Sequence, residues 1–330
     1  MAIKIKINFF HYAIISLFLL SSNFVCASDN LNLQRKVTIG VFLTSLYELN
    51  MNAGSYSADF WIWSESQIDH KFKLDRVELG YLYGKYPLET SLKYQENLSE
   101  SISFENRKIR ATFLHDYSLD LFPFDKQTLR IYIEGTDSID ELIFEPSTKS
   151  GFSQLIQMSG WRINSFKLIP SEINHGTNFG YPNYTTNVSY PLITVEIELI
   201  RNSLYLFFKL IIGLLVSVLI ASLASSLSVY NDDLYSSRLA LIGGSLLASV
   251  LNQQFVDTKA DAINLVTLLD IIHLIGISTV GSLFVSAIIF RFLSEKNYQK
   301  IKLQKIDLLF GFIAFALFFS VSLILVVKSL

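Results

Sequence analysis

One stretch of the sequence combines residue types that could form a path for ions. Between Ser236 and Thr258 the chain is largely apolar, yet small and polar residues recur at helical spacing. Steps of three and four residues place small residues, two leucines and a glutamine on one side of a helix: Ser237, Ala240, Gly244, Leu247, Leu251 and Gln254. In a membrane, this stripe could line a narrow passage that closes by losing its water. The alternative is a bundle helix whose glycines allow close packing.

Four apolar segments of the chain are long enough to cross a membrane. They span about residues 204–229, 236–257, 263–292 and 306–327, and a bilayer core requires roughly 20 apolar residues. Basic residues collect between the third and fourth segments: Arg291, Lys296, Lys300, Lys302 and Lys305. Because such loops remain in the cytoplasm, we expect the N-terminal part of the chain on the opposite side of the membrane.

Residues 1–27 have the pattern of a secretory signal peptide. Lys4 and Lys6 precede a short apolar run, and a small residue, Ala27, ends a suitable cleavage site. The alternative is a signal anchor, for which the apolar run is short. Cleavage would remove Cys26, the single cysteine, so we expect neither a disulfide nor a cysteine-bound metal.

Residues 28–201 have the composition of short β-strands. Apolar and polar residues alternate, as at 194–200, where Val195, Ile197 and Leu199 share one face. Many short strands separated by turns predict an antiparallel sandwich of the immunoglobulin-like type. The predicted fold class is therefore an all-β immunoglobulin-like sandwich, residues 28–201, followed by an all-α domain of four transmembrane helices, residues 202–330.

Composition and motifs argue against other classes of function. The chain is 51% hydrophobic with a formal charge of -2, and it lacks a basic patch with interleaved aromatics, so no nucleic-acid partner is expected. Hydrolase, phosphate-binding and paired Cys/His motifs are also missing. We therefore expect no enzyme activity, no cofactor and no metal site.

The segment that names a family is residues 118–135, SLDLFPFDKQTLRIYIEG, with Phe122-Pro123-Phe124-Asp125 at its centre. It resembles the pro-loop of pentameric ligand-gated ion channels, the superfamily of the Cys-loop receptors. Where animal members carry two cysteines, this chain has His115 and Leu129, so it is similar to the bacterial branch. Supporting matches follow in the same order along the chain: Gly160-Trp161, Arg201-Asn202, Arg238 and Asp270.

The resemblance implies a homopentamer in the inner (plasma) membrane, with the N-terminal domain periplasmic or extracellular. Its partners would be four further copies, lipid, a small-molecule agonist and permeant monovalent ions. The second membrane helix of each copy would line the pore, with Ala240 at the cytoplasmic constriction and Leu247 at the hydrophobic gate.

Ion selectivity follows less directly from the resemblance. Neither the Glu of cation channels nor the Pro-Ala of anion channels precedes Arg238; Ser236 and Ser237 stand there instead. Acidic residues near the two ends of the helix favour cations, unless they are ordinary solvated charges: Asp232, Asp233 and Asp257.

A ligand site is implied between neighbouring subunits, beneath a hairpin that corresponds to residues 174–187. Glu134 matches an acidic residue that faces the ligand amine in the bacterial amine-gated channel, and aromatic rings suit an ammonium ion. The candidate binding residues are Glu134, Phe179, Tyr181 and Tyr184, with Phe60 and Trp61 across the cleft. Alternatively, the aromatics are exposed loop residues without a ligand.

Coupling between the two domains is implied for Asp125 and Arg201, which match an ion-pair cluster of the family, and for Pro123 of the same loop. The proline common in the first span is replaced by Gly213. Two other functions remain open. One is a non-conducting receptor that is only anchored by its helices, and the other is a channel of the same fold opened by protons, for which His115 and His175 are the titratable candidates.

Overall fold

The structure is a computed structural model that describes residues 34–84, 88–99, 101–177, 179–180, 188–260, 266–296 and 299–329. The expected signal peptide at 1–27, and Tyr181 and Tyr184 of the expected ligand site, lie outside these residues. From Arg35 onward the described chain forms one compact unit. Within it, ten strands precede four long helices.

The ten strands form two sheets. They are β1 (Arg35–Asn50), β2 (Ser55–Gln67), β3 (Val77–Gly80), β4 (Leu88–Asn97), β5 (Ile102–Leu114), β6 (Lys126–Gly135), β7 (Leu142–Pro146), β8 (Gly151–Phe152), β9 (Trp161–Asn174) and β10 (Ser189–Arg201). One sheet has the order β4-β5-β2-β1-β7, with β8 also paired to β1, and the other has the order β3-β6-β10-β9. Strands β7 and β8 run parallel to β1, whereas the other described pairs are antiparallel.

Alternation of apolar and polar residues decides which face of each strand is buried. Val195, Ile197 and Leu199 are fully buried on one face of β10, as predicted from the sequence. Val195 pairs with Ile131 of β6, which is also fully buried. The buried faces of both sheets belong to one apolar cluster. Burial of each such side chain contributes about 1.5–3 kcal/mol relative to exposure.

Four apolar helices follow the last strand: α1 (Ser203–Leu223), α2 (Asp232–Ala260), α3 (Leu268–Glu295) and α4 (Lys300–Ser329). The first continues as a 3-10 turn to Ser226, and all four are long and apolar enough to cross a membrane. The prediction of a β-region followed by four membrane helices is thereby confirmed, and the chain is an integral membrane protein. The bounds of the two domains stay a prediction.

Helix α3 begins at Leu268 rather than at 263, because Thr267 caps it. The Thr267 hydroxyl accepts a hydrogen bond from the backbone N–H of Asp270 at 3.2 Å. The Asp270 carboxylate in turn accepts one from the backbone N–H of Thr267 at 2.8 Å. This reciprocal arrangement satisfies two donors that a helix start leaves free, so Asp270 has a structural role.

Helices α1 and α2 approach each other closely at Gly213. The side-chain amide of Asn252 donates a hydrogen bond to the Leu210 carbonyl of α1 at 2.9 Å. A Cβ atom at position 213 would lie 2.1 Å from the Asn252 side-chain oxygen. Packing therefore requires Gly213, which stands where the similar channels commonly have a proline, since only a glycine leaves room for this contact.

We predict that Gly213→Ala lowers the melting temperature of the detergent-solubilised protein and reduces its free energy of unfolding by about 1–3 kcal/mol. The reason is that the added methyl group displaces Asn252 from its hydrogen bond. Thermal unfolding measures this loss. Gly281→Ala is the matched control, since a Cβ at 281 meets nothing within 4 Å. Equal melting temperatures for both variants would contradict the packing role of Gly213.

Candidate functional site

The predicted stripe of α2 lies on a surface that no other part of the described chain covers. Ser237, Ala240, Gly244, Leu247, Leu251 and Gln254 are all exposed. The exposed fraction is 61% for Leu247 and 55% for Leu251. The structure therefore brings the six positions together on one open face.

The opposite side of α2 is held within the chain by a buried ion pair. Arg238 and Asp307 of α4 form two hydrogen bonds, of which the Nη2–Oδ1 bond measures 2.8 Å. Their side chains are 0% and 2% exposed. Ile242, Ser245 and Ser249 follow Arg238 along the same buried side. One face of α2 is thus buried against the other helices of this chain, and the stripe lies on its exposed face.

The acidic residues at the start of α2 differ in their surroundings. Asp232 forms an ion pair with Arg291 of α3, with 2.8 Å between its Oδ1 atom and the Arg291 Nη2 atom. Part of its negative charge is therefore compensated locally. Asp233 is exposed. The side chain of Asp257, at the other end of the helix, lies outside the described residues.

The predicted coupling residues meet in a buried ion pair where the strands end. The Arg201 guanidinium binds Asp125 with both ends of its fork, at 2.7 Å through Nε and 3.0 Å through Nη2. Gln127 donates a further hydrogen bond to the same carboxylate at 2.9 Å. The guanidinium also lies over the ring of Trp161, 4.0 Å from its centroid, and over that of Phe122 at 4.9 Å. Such bidentate and stacked contacts are specific to arginine.

The loop that carries Asp125 contacts two membrane helices. The Phe124 ring packs on that of Phe207 in α1, with centroids 5.3 Å apart. The Asp120 carbonyl accepts a hydrogen bond from the backbone N–H of Leu268, the first residue of α3, at 2.9 Å. Pro123 is buried between these contacts, after a cis peptide bond. The residues of the recognised motif therefore lie between the sheets and the helices.

At the other end of β6, Glu134 lies in a partly exposed cluster with aromatic side chains. Its carboxylate is 2.7 Å from the His175 Nε2 atom. The His175 ring packs against those of Phe179 and Tyr190, with centroids 5.3 and 6.0 Å away. The structure thus brings Glu134 and Phe179 into one site, and it adds His175 and Tyr190.

The two candidates on β2 do not behave alike. Phe60 is fully buried and packs against Phe113 in the core between the sheets, so its side chain does not face a surface cleft. This corrects its assignment as a ligand-facing residue. Trp61 points to the other side of the strand, where it is half-buried. It is the member of the pair that stays available to a neighbouring molecule.

His115, a candidate for proton sensing, lines a cavity of about 560 Å³ together with Tyr81, Asp116, Arg130 and Tyr132. Burial lowers the pKa of His115, although the hydrogen bond to Gln127 and the charge of Asp116 act in the opposite direction. Protonating this ring therefore requires a lower pH than for an ordinary histidine. His115 and His175 do not belong to one cluster.

Several residues of these sites were not found from the sequence. Asp307 is a single acidic residue inside an apolar helix, and such residues usually have a partner in a membrane protein; that signal would have found it. Tyr190 and Asn252 gave no comparable signal, because their contacts depend on the tertiary fold. In the part of the chain that the structure describes, no group of three or more His, Cys, Asp or Glu residues could hold a metal ion.

Comparison of the sequence with models of known protein families found no match. Comparison with curated proteins found no significant relative either.

We predict that Arg201→Ala destabilises the protein by about 3–5 kcal/mol, because it leaves the Asp125 carboxylate buried without its cation. Arg201→Lys keeps the charge but loses the bidentate fork, so its loss should be smaller. Chemical or thermal unfolding in detergent measures both. Adding Asp125→Asn to Arg201→Ala should recover part of the loss. A change below about 0.5 kcal/mol for Arg201→Ala would contradict this role of the ion pair.

Proposed function

We propose that this protein is a subunit of a pentameric ligand-gated ion channel of the bacterial type. In this proposal the two sheets form an immunoglobulin-like sandwich outside the inner membrane, and the four helices form the transmembrane domain. Five copies surround an axis, and α2 of each copy lines the pore. A small ligand, an amine by its chemistry, binds between subunits and favours opening to monovalent cations.

The observation that carries the proposal is the contrast between the exposed faces of α2 and α4. Between 308 and 327 the exposed residues of α4 are large and apolar except for Ala316 and Ser320, as at Phe312, Leu317 and Ile324, which suits contact with lipid. The exposed stripe of α2 includes a serine, a glycine and a glutamine. Polar residues in membrane helices usually face a bundle interior or a water-filled cavity. A pore shared by several copies provides such a cavity.

The stripe also supplies a gate. Five copies of Leu247 and Leu251 would form two rings without hydrogen-bonding groups, and a narrow passage lined in this way loses its water and stops ions. Opening then requires only that the rings separate enough to become wet. Uncompensated acidic residues at the ends of α2, such as Asp233, would favour cations.

The junction supports a connection between ligand and pore. Loop 115–125 contacts α1 through Phe124 and α3 through Asp120, while its last residue is bound to Arg201 at the end of β10. A shift of the sheets would therefore be felt directly by two membrane helices. Such interfaces can switch between two packings.

We predict that Leu247→Ala favours the open state by about 1.4 kcal/mol, or roughly tenfold in the closed–open equilibrium, because it shortens the dry part of the pore. Currents across liposomes or oocyte membranes, with and without ligand, measure this shift. Leu241→Ala is the matched control: it removes the same atoms from an exposed leucine about 100° around the helix from the stripe. An equal effect of both variants, or no effect of Leu247→Ala, would contradict this pore lining.

The two alternatives give different results in the same recordings. A non-conducting receptor binds its ligand without any current, even in the Leu247→Ala variant. A proton-gated channel opens on acidification in the absence of amines, and for this reading the titratable His115 beside its cavity is the favoured group. Reversal potentials in asymmetric salt decide between cations and anions.

We predict that Glu134→Gln raises the half-maximal concentration of an amine ligand by roughly tenfold or more, because a charge-assisted hydrogen bond to the ammonium is lost. Concentration–response curves for small primary amines measure this effect. Glu172→Gln is the control, since Glu172 pairs with Pro191 and lies on the opposite face of the same sheet. Unchanged potency for Glu134→Gln would remove this residue from the site.

A further inference from the structure

The site proposed for an amine already contains a group of similar chemistry. His175 follows the last residue of β9, and its Nε2 atom lies 2.7 Å from the Glu134 carboxylate. The side chains are 30% and 21% exposed, so their interaction is only partly screened by water. The ring is flanked by Phe179 and Tyr190. An imidazolium in this position makes the two contacts that an ammonium ligand would make, one with a carboxylate and one with aromatic rings.

A tight turn brings these groups together. The Asn174 side chain accepts a hydrogen bond from the backbone N–H of Gly176 at 2.8 Å. Gly176 has a φ of +69°, which a glycine adopts without strain. The chain therefore reverses directly after His175, and Phe179 returns onto the imidazole. The position of His175 on Glu134 follows from this local fold.

The charges around the pair leave His175 as the cation of this site. Glu78 on β3 lies directly opposite Glu134 on β6, and adjacent like charges on one face of a sheet are unfavourable. Among the described residues, Tyr190 on β10 is the other titratable group in contact with the ring. The sequence from 176 to 190 contains no charged residue.

The next charged groups along this face of the sheet are Arg130, Glu196 and Lys167, and Lys126, Glu198 and Arg162 lie further from Glu134. Arg130 and Glu196 are joined to each other at 2.9 Å, and Lys167 is the cross-strand neighbour of Glu196. Arg130 is four residues from Glu134 on the same strand, which corresponds to about 13 Å. The nearby negative charge of Glu134 and Glu78 is therefore partly compensated by His175 when its ring is protonated.

We propose that His175 is an internal competitor for the amine site: its protonated ring occupies Glu134, and a ligand ammonium binds only after displacing it. This inference rests on the proposed ligand site and adds a pH dependence to it. Histidines change charge between about pH 5 and 8, whereas an alkylammonium with a pKa near that of lysine, about 10.4, stays charged throughout. As the pH falls, a histidine becomes positively charged, whereas the charge of the alkylammonium does not change. Amine affinity must therefore decrease in acid.

The test uses the purified full-length protein and butylamine as the probe, with calorimetric titrations at pH 6 and pH 8 at constant ionic strength. For the wild type we expect the dissociation constant to be about three- to tenfold larger at pH 6, the effect of one partly exposed charged hydrogen bond. His175→Gln removes the competitor, so its affinity should be high and nearly equal at both pH values. His175→Lys keeps a permanent cation, so its affinity should be low at both.

The outcomes separate this inference from the proposed function. Weaker binding by His175→Gln than by the wild type would mean that the histidine assists the ligand. An unchanged pH dependence in that variant would mean that the histidine does not affect binding. Either result overturns the inference. Binding with the expected pH pattern but without current supports the inference and contradicts the channel. Butylamine-gated current whose pH dependence is unchanged in His175→Gln supports the channel and contradicts the inference. No butylamine binding to any of the three proteins overturns both the inference and the amine ligand.

Discussion

The buried pair of Asp125 and Arg201 is the constraint on which the arrangement of strands and helices depends. Arg201 is the last residue of β10, and α1 begins at Ser203, so the pair fixes the chain immediately before it enters the membrane region. The side chains of Asp125 and Arg201 are only 2% and 10% exposed. Burial of these charges is tolerated because Asp125 accepts hydrogen bonds from Arg201 and Gln127. The guanidinium also stacks on two aromatic rings. Removing one partner would expose the full desolvation cost of the other.

A second charge pair organises the helices in a similar way. Arg238 and Asp307 are far apart in sequence and join α2 to α4 where both side chains are buried. Because an unpaired charge in a membrane helix is costly, this pair determines which side of α2 faces its own chain. The small residue Gly213 and the amide of Asn252 fix the same side of α2 against α1. The stripe is exposed as a consequence, since the opposite side of the helix is already committed.

Local patterns were sufficient to predict much of this structure. Alternation in β10 identified its buried face, and helical spacing identified the stripe of α2, because both depend only on backbone periodicity. Helix length and composition identified the four membrane segments. The predicted ends of the helices were less accurate. The third apolar segment was expected from 263, whereas α3 starts at Leu268, because Thr267 caps it. Partners distant in sequence, such as Asp307 for Arg238 or His175 for Glu134, were not predicted, since they depend on how complete elements pack. Phe60 follows the same rule as β10, so its burial could have been predicted. It belongs to an apolar series with Tyr56, Ala58 and Ile62 that alternates with polar residues on β2 and lies on the buried face.

The proposed ligand site and the junction are carried by the same two strands. Glu134 is paired with Leu192 near one end of the β6–β10 ladder, and Lys126 is paired with Ile200 at the other. The residues next to this second end, Asp125 and Arg201, are themselves joined side chain to side chain. The ladder between the two ends is antiparallel and shows no register shift, and over eight residues such a ladder extends about 27 Å. Its backbone hydrogen bonds resist sliding of one strand along the other, so a displacement at Glu134 is more easily accommodated by movement of both strands together. Such a movement would carry the ion pair with it, and with the pair the contacts of Phe124 with α1 and of Asp120 with α3.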